Sequence, residues 1–150
     1  MAALILALLE GQNDTDQVRA CLEDCGHEVF VVDAFAKAIV LLSAQKIDLI
    51  ITDVHLENGG NVFDFLRLVK KGQWTCNIPF VLFSSQPTPM AKYLADGVRT
   101  AARSLGAVKY IEMETFDAAQ FQTLINGLLS QDKKTGELGK DIELTKKLSE

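Results

Sequence analysis

The chain has 150 residues and a hydrophobic fraction of 48%, which suits one domain of ordinary size with a substantial core. Its 15 basic and 20 acidic side chains leave a formal net charge of -5, and the absence of a basic run argues against nucleic acid and for a protein or small-anion partner. The cysteines, Cys21, Cys25 and Cys76, are too sparse and odd in number for a disulfide framework.

Met1 to Leu9 is apolar but too short to span a membrane. It lacks the basic start and small-residue cleavage site of a signal peptide, so it reads as a strand, with the cytoplasm as the expected location and no membrane partner. Leu4 to Leu9 forms the first strand. Gly11 and Asn13 turn the chain, and Asn13 or Asp14 is suited to cap a helix. That helix carries Val18, Cys21, Leu22 and Cys25 at helical spacing, with Cys21 and Cys25 expected as buried thiols, and Gly26 stops it. Val29 to Val32 is a second strand. Asp33 is suited to cap the alanine- and leucine-rich helix that follows, to about Gln45. Ile47 to Thr52 reads as a fully buried parallel strand.

Asp53 follows that strand directly. A carboxylate there can be a nucleophile, a metal ligand or a plain helix cap. Asn58 to Asn61 is a loop, and Val62, Phe63, Leu66 and Val69 mark a third helix. Trp74, in the loop Gly72 to Thr75, reads either as an exposed contact or as a lid over that helix. Ile78 to Phe83 is a fourth strand, with Pro79 near its start, where proline is tolerated. A polar loop, Ser84 to Pro89, leads into a helix from about Met90 to Leu105, with Gly97 as a point of interruption. Ala107 to Ile111 is a fifth strand, and a last helix from about Phe116 to Leu129 presents Phe121, Leu124, Ile125 and Leu128. Residues 1–130 form the domain. Gln131 to Glu150 is charged and poor in apolar residues, and reads as a tail, a loosely attached helix or the start of a linker. His27 and His55 share no metal-ligand spacing.

Five strands alternating with helices imply an α/β fold. It is the flavodoxin-like doubly wound parallel sheet, with strand order 2-1-3-4-5 and helices on both faces. Ligands collect at the carboxyl ends of such strands, near the switch point between strands one and three. This topology sets Glu10 and Asp53 side by side at one rim, with Ser84 as the next neighbour.

The order and spacing of Leu4-to-Glu10, Ile47-to-Asp53, Ile78-to-Ser84 and Leu105-to-Tyr110 resemble a response-regulator receiver domain over roughly Ala3 to Ser130. The resemblance implies a phosphorelay module of two-component signalling. Asp53 matches the aspartate that accepts a phosphoryl group from a histidine kinase or phosphotransfer protein. Glu10 and Asp53 match magnesium ligands, and the His55 backbone carbonyl matches a third. Ser84 matches the hydroxyl that grips the phosphoryl group, and Tyr110 matches the switching aromatic. The output is expected through a downstream protein partner, and the chain is not expected to be an enzyme. Pairing of two chains as a homodimer through the fourth helix and fifth strand is left open.

The chain departs from the receiver pattern at several positions. The first of the usual paired acids is Leu9, the usual lysine after strand five is Met113, and the proline after it is Glu114. Glu57 and Asn61 replace a usual proline and glycine, and the segment from Ser84 to Gly106 is longer than the norm. Lys109 starts strand five, on the far side from the rim. The alternative reading is a pseudo-receiver, a phosphorylation-independent interaction module. A flavodoxin-like cofactor carrier fits poorly, because Gly11 to Thr15 holds one glycine and an acid where a phosphate would lie, and no Walker or dinucleotide glycine pattern is present.

Overall fold

The computed structural model describes residues 2–9, 11–54, 62–85, 87 and 89–130, without the side chains of residues 90 and 91. The elements alternate strictly: β1 (Leu4–Leu8), α1 (Gln12–Asp24), β2 (Glu28–Val32), α2 (Phe35–Ala44), β3 (Leu49–Asp53), α3 (Val62–Lys71), β4 (Phe80–Ser85), α4 (Pro89–Ser104) and β5 (Lys109–Met113). A final helix, α5, covers residues 118–130. All strand pairs are parallel, and the sheet order is β2-β1-β3-β4-β5, as the alternation of signals requires. The tail reading and the Asn58-to-Asn61 loop fall outside the described residues.

Side chains alternate across a strand, so each strand feeds two cores. Ile5, Ala7, Leu49, Ile51, Val81, Phe83 and Ile111 pack with Val18, Cys21 and Leu22 of α1 and Phe121 and Ile125 of α5. Leu6, Leu8, Ile50, Phe80 and Leu82 pack with Phe35 of α2, Phe65, Leu66 and Val69 of α3 and Ala102 of α4. A sheet buried on both faces explains why the strands read as continuous apolar runs. Among the described residues no helix is long and apolar enough to cross a membrane.

Strands β3, β4 and β5 sit about two residues nearer the carboxyl end than their hydrophobic runs suggest. Asp48 is held outside β3: its carboxylate accepts from the Leu4 N–H at 2.8 Å, and its own N–H donates to the Leu4 carbonyl at 2.8 Å. Pro79 precedes β4 but still lends its carbonyl to the Ile50 N–H at 3.0 Å. The ladder therefore carries Asp53, Ser84 and Met113 as strand residues. Helix starts differ too. The residue before α1 is Gly11, with no side-chain cap, and the Thr15 N–H and hydroxyl both donate to the Gly11 carbonyl. Asn13 and Asp14 lie inside the first turn. Ala34 precedes α2, and Asp33 pairs with Lys37 at 2.8 Å instead of capping. Helix α4 runs through Gly97 without a break.

At the opposite end of the sheet, His27 is buried. The Ala3 N–H donates to its Nδ1 at 3.1 Å, so its Nε2 carries the proton and donates to Asn126 Oδ1 at 2.8 Å. His27 is thus a core histidine that ties β1 to α5. Cys21 is buried as expected, while Cys25 and Cys76 are only half-buried.

Candidate functional site

The carboxyl ends of β3, β4 and β5 form the rim. Asp53 ends β3, half-buried, in register with Phe83; Ser84 lies in register with Glu112, and Tyr110 with Leu82. Alternation puts Ser84, Tyr110 and Glu112 on the sheet face that α4 covers. Ser84 is only 2% exposed, and its side chain lies close enough to the Tyr110 phenol to act on its ionisation. Burial pushes the Tyr110 phenol above its usual range; Ser84 pulls it down. The Glu112 carboxylate adds to the upward push, the Arg99 guanidinium opposes it, and Asp53 adds a further upward push. Ser84 and Asp53 thus both act on the Tyr110 phenol, while Glu10 and His55 fall outside the described residues.

Further side chains shape this rim. Arg99 of α4 lies over the Tyr110 ring, 5.0 Å from its centre, and bonds Asp96 at 3.0 Å. Glu112 has one buried carboxylate oxygen without a hydrogen-bond partner, and the Thr52 hydroxyl, fully buried on β3, likewise has none. Ser85 points to the other face and donates to Asp14 Oδ1 of α1 at 2.9 Å. The period-two pattern of β5, extended to Met113, would have set Glu112 beside Tyr110. Arg99 and Asp14 reach the rim through helix packing, which no local pattern encodes.

Leu9 and Met113, singled out in the sequence, serve the core. Leu9 is 5% exposed and Met113 6% exposed, and both belong to the apolar cluster that holds Phe83, Phe121 and Ile111. Phe83, Phe116 and Phe121 pack edge-on or tilted there, with ring centres 5.3 to 6.2 Å apart. Glu114, just past β5, is paired with Lys92 of α4. Lys109 lies at the start of β5, in register with Val81, about 13 Å along the strand from Met113. Trp74 is 87% exposed, so it is a surface side chain and not a lid.

Magnesium needs several hard oxygen ligands. Among the described residues no three His, Cys, Asp or Glu side chains are grouped to hold a metal ion. Of the expected ligands only Asp53 is described, and the position before Glu10 is closed by the buried Leu9. Among the described residues Asp53 by itself does not complete a magnesium site.

No protein-family model matches the chain, and no curated protein matches it. Solved structures do. NtrX from Brucella abortus superposes with a TM-score of 0.80 at 23% identity, covering 93% of this chain and 29% of that one. The present chain thus spans less than a third of that NtrX structure. The isolated receiver domain of the same NtrX matches with a TM-score of 0.70 at 22% identity, covering 84% of this chain and 98% of that one. The chemotaxis response regulator CheY4 of Vibrio cholerae gives 0.69 at 19% identity, with 84% and 98% covered. These neighbours are receiver domains of response regulators, and the fold of this chain is theirs.

Proposed function

We propose that this chain is a receiver module of two-component signalling that accepts a phosphoryl group on Asp53 from a histidine kinase or phosphotransfer protein. It then signals through a downstream protein partner. One observation carries the reading: the parallel register sets Asp53 at the end of β3 beside β4, whose buried Ser84 shares a sheet face with Tyr110 of β5. A carboxylate oxygen of Asp53 attacks phosphorus in line with the leaving group, and the new charge on the phosphoryl oxygens attracts the Ser84 hydroxyl. The contact between Ser84 and Tyr110 is thereby changed, and Tyr110 moves relative to α4. Glu10, Asp53 and the His55 carbonyl would hold magnesium, which supplies charge neutralisation when bound. Cytoplasmic residence is part of the same proposal.

The test is a mass measurement. The protein is incubated with magnesium and acetyl phosphate, with and without Asp53→Asn. A gain of one phosphoryl mass that requires Asp53 is the expected result; a gain that survives the substitution, or no gain, overturns it.

A second reading, the phosphorylation-independent module, is favoured by one fact: Leu9 and Met113 have turned two positions of chemistry into core. No mass gain, with unchanged spectra on adding magnesium or beryllofluoride, decides for it.

A further inference from the structure

We infer that Lys92, on the first turn of α4, supplies the positive charge at the rim that Met113 cannot, and that Glu114 holds its ammonium there until a phosphoryl group arrives. The inference rests on the phosphoacceptor reading of Asp53. Phosphoryl transfer requires positive charge beside the transferring oxygens. The end of β5 offers none, because Met113 is buried in the apolar cluster of α1 and α5.

The other described cations nearby are committed or distant. Arg99 is taken by Asp96 and the Tyr110 ring. Lys37 pairs with Asp33 beyond β2, two strands from Asp53 in the sheet order. Lys109 lies at the far end of β5. Lys92 is differently placed. β4 ends at Ser85 and α4 starts at Pro89, so the first turn of α4 stands over the β4 tip. The partner of Lys92, Glu114, directly follows Met113, which is in register with Ser85. The pairing with Glu114 thus keeps the ammonium near the carboxyl end of β5, the strand beside β4. The position is unfavourable for a lysine in isolation: the first turn of α4 carries no acid, and a cation there opposes the helix dipole. Glu114 offsets that cost. Both side chains are about half exposed, 47% for Lys92 and 67% for Glu114, so the flexible four-carbon stem is free to swing.

In the step itself an Asp53 carboxylate oxygen forms a bond to phosphorus as the bond to the acetate of acetyl phosphate breaks. The bonding electron pair leaves with acetate, and no proton is transferred. Lys92 stays protonated throughout and exchanges the Glu114 carboxylate for the phosphoryl oxygens.

The experiment follows the mass gain of the full chain with time in magnesium and acetyl phosphate, for wild type, Lys92→Gln, Lys92→Arg and Glu114→Gln, with circular dichroism as a check of folding. Lys92→Gln is expected to slow the initial rate at least about tenfold, less than the loss of a fully buried donor because the site is partly wet. Lys92→Arg is expected to keep most of the rate, and Glu114→Gln to match or exceed wild type. The wild-type rate should fall with added salt more steeply than that of Lys92→Gln. Wild-type gain with an unchanged Lys92→Gln rate overturns the inference and leaves Asp53 as acceptor. A Glu114→Gln rate as low as that of Lys92→Gln marks the pair as a structural strut and also overturns it. No gain in wild type removes the phosphoacceptor reading and the inference together.

Discussion

Tyr110 is the most informative single residue at the rim, because its phenol responds to Glu112, Arg99 and Asp53. Ser84 and Arg99 both favour its ionised form, against burial, Glu112 and Asp53. Ser84→Ala and Arg99→Gln should therefore each move tyrosinate formation to still higher pH. The chain has two tyrosines, so the alkaline absorbance titration is clean in a Tyr93→Phe background; an unmoved curve would mean the contacts are not made. Cys21 offers a second titration. Burial first, then Cys25 and Asp24, push its thiol up to about 11 from 9.0. The unfolded chain gives up this proton first, so stability should fall as pH climbs from 9 towards 11 and be unaffected by this group below that window. At pH 8, alkylation followed by peptide mapping should label Cys25 and Cys76 well before Cys21. Asp53, Ser84 and Tyr110 were legible in the sequence because each ends or lines a hydrophobic run. Glu112 lay within reach of the period-two pattern of β5, whereas Arg99 and Lys92 were not legible, since their relevance arises from α4 packing beside β5.

At the scale of elements, the chain leaves α1 and α4 through positive-φ glycines, Gly26 and Gly106. Gly106, after α4, has φ of +107°, and a Cβ there would meet the Lys70 side chain at 2.9 Å. Lys70 in turn donates to the Cys76 carbonyl at 3.1 Å and the Ile78 carbonyl at 2.7 Å, bracing the loop before β4. Gly106→Ala should cost about 1–3 kcal/mol, read from the urea midpoint. The sequence identified every one of these elements but placed three strand ends about two residues early. Hydrophobic pattern records burial, whereas a strand begins where its backbone finds a partner. Ile47 is buried yet outside the ladder, and Asp48 satisfies its polar groups on Leu4.

At the scale of the molecule, the two-sided core and the rim compete for the same positions. Leu9 and Met113 serve the core, and Phe83, 1% exposed, touches both Phe116 and Phe121. Phe83→Ala should cost about 3–5 kcal/mol in denaturant unfolding. Met113→Lys, which puts a cation at the end of β5, should destabilise the fold by roughly 2–5 kcal/mol, because it strips a buried thioether chain from the core and desolvates an ammonium. A neutral effect on the urea midpoint would show that the side chain escapes to solvent.

The lone tryptophan has a practical corollary. Trp74 stands almost bare between α3 and β4, so its indole already emits from an aqueous setting when the protein is native. Denaturation should leave its emission maximum nearly where it began, even as circular dichroism collapses. A blue shift in the native protein would instead report the arrival of another molecule against that corner, which makes this ring a built-in optical probe for binding.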